Sequence, residues 1–167
     1  MLPNRALERL GTESAVYGVI LVAGLVVILS DSHAASWDVL VKVVATVLVF
    51  WAAHIYAGAV AHLGDELELD VPAGQRLAHA ARHTVEHSWG MLVSTLLPVT
   101  VLLLGVANVV SDQAAIWGTL WLAVVVLGVL GYLKVAAWSQ LQWLRIASAS
   151  VTALLGMVLI GLKVVIN

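Results

Sequence analysis

The chain has no cysteine, so disulfides and thiolate metal ligands play no part in it. Charge is scarce. Only 11% of the 167 residues are Asp, Glu, Lys or Arg, where about 25% is usual in a soluble domain. The formal net charge of −2 argues against nucleic acid as a partner. There is no phosphate-binding loop, no HExxH pattern and no spacing that suggests a Ser-His-Asp triad, so an enzyme is not expected. What remains is apolar: 62% of residues are hydrophobic, with a mean hydropathy of +1.01. Such a chain is a multi-pass membrane protein with the lipid bilayer as its surroundings, and the cell membrane is the expected location. Its length suits one transmembrane domain over residues 1–167.

A helix needs about 20 apolar residues to cross the hydrocarbon core. Five stretches qualify, at roughly 14–30, 39–62, 90–110, 115–136 and 146–166, the first a little short and beginning near Glu13. Strand alternation is absent, so the expected fold is all-α, a bundle of five transmembrane helices. Arg5 and Arg9 precede the first run as in a signal peptide, but no A-x-A cleavage site follows directly, and the run is read as a retained span.

Basic residues fix the expected orientation. Arg5, Arg9, Arg76, Arg82, Lys134 and Arg145 cluster at one set of connections, while 31–38 and 111–114 contain no Lys or Arg. Lys42 and Lys163 lie near the opposite ends of spans two and five, from which they can snorkel to the surface. The positive-inside rule then places the N-terminus in the cytoplasm and the C-terminus outside. Trp37, Trp89, Trp117, Trp138 and Trp143 fall near span ends, at headgroup level, whereas Trp51 and Trp121 lie deeper and are expected to pack.

The longest polar segment is a cytoplasmic insert at 63–89, acidic in its first half and helix-forming in its second. Five of the six histidines and five of the ten acidic residues fall between 54 and 87. His54 and His62 lie on one helical stripe with Gly58, which continues to Asp65 and Glu66, with Glu68 beyond. His79, His83 and His87 form an i, i+4, i+8 row joined by Glu86. Imidazole and carboxylate together suit iron, manganese or zinc, so these nine residues are the candidate metal ligands. The row at 79–87 equally suits a helix facing headgroups, and the acidic cluster a solvated turn. His54 lies about two turns inside the boundary, where polar groups usually face the bundle interior or a hydrated cavity. Glu13, Tyr56 and Pro98 are candidates for a pathway: Glu13 opens span one, Tyr56 lies beside His54, and Pro98 interrupts span three and frees a carbonyl. His33 sits in an outer connection and needs no special role.

HSWGMLVSTLLPVTVLLLG (87–105) and GVLGYLKVAAWSQLQWLRIASASVTALLGMVLIGLKVV (128–165), with five spans and a metal-suited insert, resemble the vacuolar iron transporter family. The resemblance covers 88–166 by texture and the chain by topology. It implies a homodimer exchanging ferrous or related divalent ions for protons along the subunit interface. Glu13 stands only loosely where that family carries an acidic residue within its first span. The insert here is shorter and uses histidine where the family uses glutamate and methionine, with Met91 its only nearby methionine. The expected function is proton-coupled transport of a divalent metal ion, with no tightly bound cofactor beyond such an ion. A proton channel or pH-gated permease, and a non-transporting membrane subunit or assembly factor, are the alternatives.

Overall fold

The computed structural model describes residues 13–31, 33–63 and 73–166. They form five helices: α1 Glu13–Leu29, α2 Ser36–Leu63, α3 Ala73–Val106, α4 Asp112–Ala136 and α5 Gln142–Ile166. Four of them are long and apolar enough to cross a membrane. Helix α1 has 17 residues and, at 1.5 Å per residue, spans only about 25 Å.

The short helix is the centre of the bundle, packed against all four others. Its sequence, ESAVYGVILVAGLVVIL, is apolar almost all round, and a helix of that kind belongs in an interior. Ala15, Val19, Val22, Ala23, Val26 and Val27 are all buried, and Val39, Val43, Leu102, Ile116, Leu120 and Leu127 close the core around them. Helix α5 touches only α4 and α1 substantially. Among its described residues only Gly156, Ile160 and Lys163 are buried.

Contacts at the helix ends set the chain direction. Ser36 N donates to Asp112 Oδ1 at 3.0 Å, so the N-terminus of α2 is capped by a carboxylate from the N-terminus of α4. Gly105, near the C-terminus of α3, abuts Ser36 and Ala115, and Lys163 of α5 bonds Ser30 just after α1. One end of the bundle thus gathers the C-termini of α1, α3 and α5 with the N-termini of α2 and α4, and successive helices alternate in direction.

Capping explains where the observed boundaries differ from those expected. Span three, expected to reach 110, ends at Val106. Asn108 takes φ 55, its N–H donates to Gly105 O at 2.9 Å, and Val109 N–H donates to Leu104 O at 3.0 Å. That is a Schellman ending with Asn in the left-handed position. A β-branched residue there is strained, so Asn108→Val should lower stability by about 1–2 kcal/mol and Asn108→Gly should not. Thermal unfolding followed by circular dichroism checks the pair. Span four begins earlier than expected, at Asp112, because Ser111 caps it by accepting from Ala114 N at 3.3 Å.

Two further expectations need correction. Lys163 does not snorkel outward: it is buried, as described below. Trp121 is not a packing residue, since it is 51% exposed, whereas Trp117 is half-buried against the core. Four residues separate them, a 40° rotation on α4, enough to move one ring off the bundle surface.

Candidate metal site and intramembrane polar residues

Helices α2 and α3 form a long antiparallel hairpin. Its closest approach at the end away from Ser36 is Gly58, where an added Cβ would lie 2.5 Å from Thr84 Cγ2. Glycine is needed there because a Cβ would run into the Thr84 side chain. Counting along both helices from that contact puts position 54 level with Ser88 and position 62 level with position 80. The segment 73–87 runs without a break into span three as the first turns of α3, so the helical half of the insert is a rigid extension of a membrane helix. The histidine-bearing portions of α2 and α3 therefore occupy one end of one hairpin.

Within that hairpin the described side chains are few. His54 is exposed and faces neither the bundle interior nor the α2–α3 seam. The seam at this level is occupied by Trp51, Ile55, Gly58 and Ala59, which are the less exposed positions. His54 falls at the edge of that face and opens outward. Tyr56, two residues on, is 71% exposed and is not an interhelical partner. The Trp51 Nε1 hydrogen is buried without an acceptor.

The other candidates divide by what is described. The backbones of His62, His79, His83, Glu86 and His87 lie in α2 and α3, but their side chains are outside the described ones; Asp65, Glu66 and Glu68 are outside the described residues altogether. Glu13 is the first described residue of α1, again without its side chain. Among the described residues no three His, Asp or Glu side chains converge as a metal site. Helix α3 passes through Pro98 uninterrupted. Pro98 is buried, and its carbonyl oxygen accepts from Thr119 Oγ1 at 3.4 Å, while that hydroxyl also reaches Ala115 O at 2.8 Å. This proline borders α4 in a packed contact.

Several hydroxyl groups inside the bundle are bonded to helix carbonyls, as expected where water is excluded. Ser94 Oγ lies 2.9 Å from Ala15 O and 2.9 Å from Met91 O, which ties α3 to α1. Ser148 Oγ donates to Gly131 O at 3.0 Å across the α4–α5 seam, and Thr152 Oγ1 lies 2.9 Å from Ser148 O. At the loop between α4 and α5, Arg145 Nη2 and Nε both donate to Ser139 O, at 2.7 and 2.9 Å. His33 is exposed, and its backbone N–H donates to Asp31 Oδ1 at 2.9 Å in a short turn.

Compared with known protein families, with curated proteins and with solved structures, the chain matches none. The helices establish a multi-pass helical membrane protein. Lys163 is the polar residue whose position the sequence did not disclose. Nothing in VLIGLKVV distinguishes a lysine facing inward from one reaching water, because that depends on which face of α5 meets α1.

Proposed function

We propose that this protein transports divalent transition-metal ions in exchange for protons. It works as a homodimer in the cell membrane, with its N-terminus cytoplasmic, its C-terminus outside and all five helices spanning. The observation that carries the reading is the α2–α3 hairpin, which brings the histidine-bearing lengths of two helices to one end of the molecule. Imidazole binds iron, manganese or zinc when neutral and releases the ion on protonation, so the same groups couple metal to proton movement. His54 and Tyr56 open on the outer surface of the bundle. An imidazole facing lipid is costly, and a second copy of the chain laid on this face relieves the cost.

The exposed basic side chains support this orientation. Arg82 and Lys134 lie toward the histidine-bearing end, while Lys42 lies toward the other, and burial of Lys163 sharpens the asymmetry that the positive-inside rule reads. Single cysteines at Gln140 and Val110, both exposed, separate the two sides. Val110→Cys should label with an impermeant maleimide on intact cells, and Gln140→Cys only after permeabilisation. Surface labelling of both would sink the five-span topology.

The metal reading is tested by thermal unfolding of the purified protein in manganese, ferrous iron or zinc. A ligand that binds only the native state raises stability by about 2.7 kcal/mol at 100 times its dissociation constant. A midpoint indifferent to all three ions would remove the metal and leave proton permeation, to be read as flux in metal-free liposomes.

A further inference from the structure

The C-terminus of α1 meets the last turn of α5 at the end of the bundle opposite the histidines of the α2–α3 hairpin. Among the described residues, Lys163 is the one charged side chain that is buried, 4% exposed. Its Nζ donates to the main-chain oxygen of Ser30 and, at 2.9 Å, to the Ser30 hydroxyl. Ser30 is 1% exposed and directly follows the last residue of α1. Its own hydroxyl hydrogen goes to Val26 O, and the same oxygen accepts from the ammonium.

The burial is not forced by position. The neighbours of Lys163, Val164, Val165 and Ile166, are all exposed, and a lysine stem can follow an apolar surface to water. Here the charge is instead drawn inward, to oxygens at the negative end of the α1 dipole, with the Asp31 carboxylate close enough to attract it. Main-chain carbonyls at a helix C-terminus, supplemented by a hydroxyl, are the ligand set that small cations take within membrane proteins.

We propose that the C-terminus of α1, with Ser30 as its ligand residue, is a site for a small monovalent cation, and that Lys163 fills it as a tethered primary ammonium. The site pins α5, which otherwise packs mainly on α4, to the central helix. It does not rest on the metal-transport reading, since it lies at the opposite end of the bundle and involves none of the histidines.

Chemical rescue tests it. Lys163→Ala should unfold at a lower temperature than the wild type. Propylammonium chloride, which replaces the deleted atoms, should restore much of the loss. Tetramethylammonium chloride at equal concentration should not, because it has no N–H to donate, and the wild type should respond to neither. Equal midpoints for variant and wild type, or equal rescue by the two salts, would overturn the proposal. A second measurement needs no variant: acylation of the detergent-solubilised wild type, read by peptide mass spectrometry. Lys163 should react at least about tenfold more slowly than the exposed Lys42 and Lys134, as expected for a group that reacts only on local opening. Ser30→Ala should speed it. Reaction of Lys163 at the rate of Lys42 would overturn the proposal directly.

Discussion

Gly105→Ala will destabilise the bundle by about 1–3 kcal/mol, the usual cost of forcing atoms into a packed core, and leucine at this position will leave no folded protein to extract. Three helices meet there. A Cβ on residue 105 would overlap Ser36 Oγ and come 2.6 Å from Ala115 Cβ and 2.9 Å from Ser36 Cβ. Rotating Ser36 Oγ aside would still leave the two Cβ atoms, which are fixed to their backbones, in place. Ser36 is fully buried and its backbone is held by Asp112, while Ala115 lies in the first turn of α4, so relief requires whole helices to move. Gly24 and Gly161 provide the control, because a Cβ at either meets nothing within 4 Å. Alanine there should stabilise by about 0.5–1 kcal/mol, since glycine is the poorer helix former. Unfolding in detergent, followed by circular dichroism, gives all three values. If Gly105→Ala falls beside Gly24→Ala, the close junction of α2, α3 and α4 does not exist.

His54→Ala will abolish the metal-dependent rise in unfolding temperature while leaving metal-free stability within about 0.5 kcal/mol of the wild type, as is usual for a surface substitution. The exposure of His54 makes this a clean comparison. An interior histidine would take packing and hydrogen bonds with it, and any lost response could be blamed on misfolding. His33→Ala should keep the full response, because His33 lies in the α1–α2 connection at the opposite end of the bundle. Acidification should weaken the wild-type response, since a protonated imidazole has no lone pair for the ion. A metal response that survives His54→Ala unchanged would move the centre of the site to other histidines of the hairpin.

The helices were legible from composition and run length because lipid imposes one strong rule: backbone polar groups must be satisfied within the segment. That rule predicts five apolar helices from VILVAGLVVIL and its counterparts without any tertiary information. Their ends were less legible. The Schellman turn at Asn108 and the Ser111 cap are local and have recognisable residues, but apolar residues on both sides of Asn108 concealed the stop. The Asp112–Ser36 cap joins positions 76 apart and has no local signature.

The candidate metal residues were legible as a pattern but not as a site. Spacing shows that His54, Gly58 and His62 share a stripe, and that His79, His83 and His87 share another. The tertiary packing of α2 on α3, with its Gly58–Thr84 contact, brings the two helices together at those levels. His54 itself opens outward, against the expectation that a polar group at that depth faces the interior, because the seam runs through Trp51, Ile55, Gly58 and Ala59 and His54 falls at its edge.

The sequence by itself determined the solvent of this protein, its helical class, its alternating directions and the concentration of histidine at one end. These follow from hydropathy, chain length and charge counts, which are properties of segments. Only the tertiary structure decided that the shortest helix is the centre, that Trp117 is packed while Trp121 is exposed, and that Lys163 is buried against Ser30. Each of these depends on which side of a nearly uniform apolar helix faces a neighbour. In a bilayer, lipid and protein are almost equally apolar, so hydrophobicity cannot mark the inward face; close backbone approach at glycine and the need to satisfy each polar group do so instead.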